Sequence, residues 1–400
     1  MFVHRFGLAL AAGVIAAYAL AACALLVGAP DGYHLFPSTG DVDAADVDDG
    51  NGDGNDAGET FGGDVRSIDG DGDVAVPADT APSIGFDAGF GGPPIRLARG
   101  ENDPEGIAVS TSGTTLYWSN SGDSTLRELL RNLDGSATDA GPKTLFTLAD
   151  AGAPPASDVA ISGGTLYALV GPAATTQTCR TFFEVPLLTP SSSACASPSN
   201  LCSSNSVATR LAVDTNDVYL SSGDSCYQLL YEAKPGTSSD SWKSGPDVSQ
   251  GVVAMTSDGT TLYYAVDTAI YALSLANNTS MPFALSPSQV ADIAVDLSNV
   301  YWINGGGDVM MLAKADAGSP ATVLATGQLQ PNRIAVDGSS VFWTNLGQTA
   351  GQGSVGMVSL GGGPARMLAL SQAYPWGIAV DVFGVYWTTF GDGSVWMMAR

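Results

Sequence analysis

Histidine is the commonest general base at neutral pH, and this 400-residue chain holds only two, His4 and His34. From residue 95 onward, therefore, no Ser-His-Asp or Cys-His arrangement and no imidazole metal site can be assembled. Carboxylate, amide and guanidinium chemistry remains. Seven residues stand out because each falls at or just before the start of a short recurring apolar segment: Glu105, Asp158, Arg210, Asp292, Asn332, Arg333 and Trp376. Such a set can pair charges across a shared centre or hold a polar ligand. No residue is assigned a catalytic role. A second set, Asp214, Asp296, Asp337 and Asp381, closes the same segment in four of its copies. These carboxylates are expected to accept backbone N–H groups in a tight turn.

Four cysteines, Cys179, Cys195, Cys202 and Cys226, lie close together in the chain. In an exported protein an even set favours two disulfides, with three connectivities open. A zinc site would need a C-x2-C pair, which is missing.

The elements that must position these groups come from a repeat. The copies include Arg333-IAVDGSSVFWTN and Gly377-IAVDVFGVYWTT, and their shared alanines are Ala108, Ala160, Ala212, Ala254, Ala294, Ala335 and Ala379. Each unit of roughly 40–50 residues has the length of a propeller blade. Each reads as four short strands bounded by Gly, Asp and Asn turns, with Trp118, Trp302, Trp343 and Trp387 as core between blades. After Gly377 there is room for three strands, and Ile95-Arg96-Leu97-Ala98-Arg99 has no blade of its own. The expected fold is all-β: a seven-bladed β-propeller with four-stranded antiparallel blades over 95–400, its ring closed by that N-terminal strand.

Composition agrees with a turn-rich β protein, since only 14% of residues are charged while Gly numbers 49 and Pro 22. A net charge of −25 excludes binding to a phosphate backbone, so no nucleic-acid partner is expected. Much of that charge lies between residues 31 and 94, which hold 15 acidic residues and one basic residue, Arg66. Residues 23–94 read as an acidic, Gly/Asp-rich disordered linker. Within it, Asp49-Gly50-Asn51-Gly52-Asp53-Gly54 matches half of a calcium loop, but Thr60 stands where the bidentate Glu belongs. No cofactor is expected, a divalent cation such as calcium being the open alternative. Residues 1–22 read as a signal peptide, with an uncharged apolar run from Phe6 to Ala29. That run is also long enough to span a bilayer as a retained anchor.

Leu20-Ala21-Ala22-Cys23 resembles the bacterial lipobox, which implies lipidation at Cys23, export, and attachment to the cell envelope at the outer membrane. The phrases Val300-Tyr301-Trp302-Ile303-Asn304, Val341-Phe342-Trp343-Thr344-Asn345 and Val385-Tyr386-Trp387-Thr388-Thr389 resemble the YWTD repeats of lipoprotein-receptor propellers, departing in the last letter. Pro104-Glu105-Gly106-Ile107-Ala108-Val109 and the IAVD units are similar to NHL-type propellers. Together these resemblances imply a binding scaffold outside the cytoplasm, and a monomeric, non-catalytic protein is expected. Its partner would be a protein, a glycan or another envelope component, and it would touch the membrane through its lipid. The rival expectation is a metal-dependent lactonase resembling gluconolactonase-type propellers, with Glu105, Asn332, Asp158 and Asp292 around a divalent cation.

Overall fold

The computed structural model describes residues 90, 92–132, 135–151, 153, 155–170, 182–190, 194–196, 208–222, 228–233, 243–248, 251–361 and 363–400. The signal-peptide and lipidation readings, the calcium-like loop and nearly all of the linker lie outside these residues. So do Cys179, Cys202 and Cys226, and the side chain of Cys195. Among the described residues no helix is long and apolar enough to cross a membrane.

Strands β1 to β28, numbered in chain order, form seven four-stranded sheets, and every strand pairing is antiparallel. The innermost strands are β2 (Pro104–Val109), β6 (Ala156–Ser162), β10 (Ala208–Val213), β14 (Ala254–Ser257), β18 (Val290–Val295), β22 (Pro331–Val336) and β26 (Pro375–Val380). Each of these lies against the next, and β26 returns to β2. The repeat explains this arrangement. Alternate side chains of each strand face opposite neighbours, so both faces of a sheet are covered and apolar residues can run consecutively. Trp118, Trp302, Trp343 and Trp387 have no exposed surface. Trp343 packs with Tyr301, Ile303 and Ile334 between consecutive sheets, and Trp387 packs with Phe342 one sheet further on.

The expectation of seven like four-stranded blades is too regular and is corrected at the second sheet. In the second sheet the outermost strand, β9, shrinks to Ala194–Ala196. Residues 171–181, 191–193 and 197–207 around it are outside the described set, as are 223–227 and 234–242 in the third sheet. Four-stranded blades are thus seen only in part. The coarser architecture that stands is an all-β propeller arrangement.

β1 (Ile95–Ala98) pairs antiparallel with β28 (Ser394–Ala399), Ile95 opposite Met397 and Ala98 opposite Val395. The first strand of the domain thereby completes the last sheet, and the N-terminal segment fastens the C-terminal one. Upstream, Phe90 is buried in the same sheet stack, edge-on to Phe342 at 5.8 Å. Arg400 lies 5.5 Å over the Phe90 ring and pairs with Asp337. Phe90 therefore belongs to the fold and not to the linker expected over residues 23–94. β1 starts at the end of the sheet where the Asp381 turn lies, because Ala399 at the close of β28 faces Gly384.

Candidate functional site

At the other end, where the innermost strands begin, the ladder is irregular. The register slips between Pro104 and Ile107, Ala156 and Asp158, Ala208 and Arg210, Val290 and Asp292, Pro331 and Arg333, and Pro375 and Ile378. Six of the seven inner strands therefore carry a bulge at the same end, and a bulge re-aims the side chains around it. All seven residues singled out from the sequence sit at or beside these bulges. In three neighbouring sheets the bulge follows a left-handed residue ahead of proline: Asp103 (φ 54°), Gln330 (φ 54°) and Tyr374 (φ 54°). A non-glycine residue in this conformation costs on the order of 1–3 kcal/mol, so the surrounding packing must hold it there.

Four of the seven residues form one electrostatic group. The Arg333 guanidinium reaches Asp158 Oδ2 at 3.2 Å, a contact between the sixth and second sheets. Asp292 Oδ2 accepts the backbone N–H of Ile334 at 3.0 Å. Burial raises the Asp292 carboxyl above its ordinary range, with Arg333 opposing. Glu105 is buried, and that burial lifts its pKa to about 7 against a hydrogen bond from Ser121 and the charge of Arg333. The three carboxylates in turn hold the Arg333 pKa above its usual value, although burial pulls it down. Gly106 makes room for this group, since a Cβ there would lie 2.6 Å from the Asp158 Cα.

The other three residues divide. Asn332 Nδ2 donates to the Trp376 carbonyl at 3.2 Å, which links the sixth and seventh sheets. Trp376 is half-buried, with its ring 5.9 Å from Phe390. Arg210, which stands in its repeat where Arg333 stands in its own, donates to the carbonyls of Val253 and Thr209.

The four turn aspartates behave as expected. Asp296 Oδ1 accepts the N–H groups of Ser298 and Asn299, both at 2.7 Å, and Asp214, Asp337 and Asp381 do the same in their turns. Burial pushes Asp214 and Asp296 up, but these bonds and those from Tyr219 and Tyr301 outweigh it, so both carboxyls lie below the ordinary range.

Two sets of polar residues escaped the sequence reading. Glu101 accepts Trp118 Nε1 at 3.0 Å and Asn120 Nδ2 at 2.8 Å, and it pairs with Arg127. Gln328 takes Trp343 Nε1 at 2.8 Å and Asn345 Nδ2 at 3.0 Å, and Gln372 takes Trp387 Nε1 at 2.9 Å. A Glu or Gln 15 or 17 residues ahead of the Trp was the available signal. The second set stitches adjacent sheets. Thr344 Oγ1 accepts the Arg333 N–H and donates to the Trp376 carbonyl at 2.9 Å. Thr388 Oγ1 accepts the Gly377 N–H and donates to the Glu105 carbonyl at 2.6 Å.

For metal chemistry, no three His, Cys, Asp or Glu side chains among the described residues stand close enough together to hold an ion. Charge at the centre of the ring is instead balanced by Arg333.

These features define a β-propeller, and comparison with solved structures agrees. Virginiamycin B lyase from Staphylococcus aureus is similar over 77% of this chain and 98% of its own, with 14% identity and a TM-score of 0.58. A chain of a mitotic checkpoint complex matches over 80% of this chain and 100% of its own, with 10% identity and a TM-score of 0.57. A computationally designed protein matches over 76% and 98%, with 12% identity and a TM-score of 0.53. At such identities the likeness is one of fold. No protein-family model and no curated protein matches the sequence.

Proposed function

We propose that this protein is a non-catalytic binding propeller, exported, lipid-anchored through Cys23 and tethered to the cell envelope by its acidic linker. The observation that carries this reading is the commitment of two of the three central carboxylates. Asp158 is engaged by Arg333 and Asp292 by the Ile334 N–H, so neither is presented as a ready base. The guanidinium supplies the positive charge that the lactonase reading assigns to a divalent cation.

Beside this ion pair, at the mouth of the ring where the inner strands begin, Asn332, Trp376 and Glu105 stand on three consecutive sheets, and Asn332 and Trp376 keep exposed surface. Their backbones are bulged, propped by proline and stitched by Thr344 and Thr388. A rigid polar and aromatic rim of this kind suits recognition, because little side-chain freedom is lost on binding.

The test is turnover. The full chain, assayed against lactones and esters with and without calcium, magnesium or zinc, is expected to be inert. Cation-dependent hydrolysis lost in Asp158→Ala would overturn the proposal in favour of the lactonase.

A further inference from the structure

We infer that the ligand of this mouth is a carbohydrate that stacks on Trp376 and is hydrogen-bonded by the Trp376 indole N–H and the Asn332 side chain. The inference rests on the proposal that the mouth binds a ligand at all, and it names the class.

Trp376 differs from the repeat tryptophans. Trp118, Trp343 and Trp387 are fully buried and give their indole N–H to Glu101, Gln328 and Gln372. Trp376 is half-buried, and among the described residues its indole N–H has no hydrogen-bond partner. Its own carbonyl is held from two sides, by Asn332 Nδ2 and Thr344 Oγ1. Phe390 steadies its ring, and a left-handed Tyr374 followed by Pro375 sets the backbone behind it. The indole is thus fixed in place while part of its surface and its donor are left open. A pyranose presents C–H groups on one face and hydroxyls around its edge. The first suit an aromatic ring, and the second suit an indole N–H and an amide together.

Charge narrows the class. The domain from residue 95 onward carries 25 acidic against 13 basic residues, and three carboxyl groups surround the one arginine at its centre. An anionic glycan would meet repulsion, so the sugar at Trp376 is a neutral or amino sugar. A peptide strand is the less suitable occupant, because Asn332 and Trp376 come from different sheets and offer no continuous edge for main-chain pairing.

The experiment uses the full chain on two probes: a glycan array of neutral, amino and acidic oligosaccharides, and isolated bacterial envelope left untreated, periodate-oxidised or protease-digested. Binding is expected to neutral or amino sugars and to untreated and protease-digested envelope, but not to the periodate-oxidised sample. In Trp376→Ala it should weaken about tenfold or more with an unchanged melting temperature. Should that variant not fold, Trp376→Phe, which keeps a stacking face and loses the N–H, is expected to bind more weakly than the parent. Envelope binding abolished by protease and indifferent to periodate would overturn the carbohydrate assignment and leave the binding proposal standing. Retention on neither probe would overturn both.

Discussion

Trp302 shows what a single missing acceptor does in this repeat. Its ring is fully buried, yet its indole N–H finds no partner, because Pro287 stands fifteen residues upstream where Gln328 and Gln372 serve Trp343 and Trp387. A buried unsatisfied donor costs about 1–3 kcal/mol, so removing it recovers part of what ring truncation loses. Trp302→Phe is therefore expected to destabilise less than Trp343→Phe, by about 1–2 kcal/mol in chemical denaturation. Equal losses would show that the Gln328 bond contributes nothing net.

Glu105 gives a second prediction, with a definite sign. Its folded pKa of about 7 exceeds the ordinary 4.5, so between these values the native state binds more protons than the unfolded chain. The stability that Glu105 contributes is present below about pH 4.5 and is lost as pH rises toward 7. Glu105→Gln should be more stable than the parent at pH 8, by about 3 kcal/mol at most, and the gap should shrink toward pH 5. A gap that widens on acidification would refute this assignment.

For the strands, much was legible and some was not. The alanines and tryptophans of the repeat mark the inner strands and the packing between sheets, because both sizes are dictated by neighbours that also repeat. Residues 95–99 were legible as a closing strand from simple bookkeeping of strands at the C-terminus. The bulges were not, since a bulge is a relation between two strands and appears in neither alone. Phe90 was hidden by its Gly-rich surroundings, which read as linker. Its contacts predict that Phe90→Ala lowers stability by about 3 kcal/mol, the usual cost of emptying an aromatic core site. Deletion of residues 31–85 should leave the melting temperature unchanged. Equal shifts in the two variants would show that Phe90 is no part of the fold.

Across the whole molecule the titrating groups pull in opposite directions. Asp214, Asp258 and Asp296 have folded pKa values below the ordinary range, so the stability they contribute is present above about pH 4 and disappears on further acidification. Glu105 and Asp292, both raised, lose theirs as pH climbs. A chain of net charge −25 also repels itself more strongly as pH rises. The melting temperature should pass through a maximum on the acid side of neutrality, near about pH 5 to 6, and a maximum above pH 8 would contradict this balance. The candidate site was legible only as a list of positions. Which members meet depends on side-chain reach across the ring, and that follows from the closed arrangement of sheets.

Hydrogen–deuterium exchange tests that closure most directly. If the N-terminal strand completes the last sheet, amides in Ile95–Ala98 and in Ser394–Ala399 will be protected together and will open with a common free energy. Rapid exchange over Ile95–Ala98 beside a protected Ser394–Ala399 would mean that the ring is open and that the mouth lacks the frame described for it.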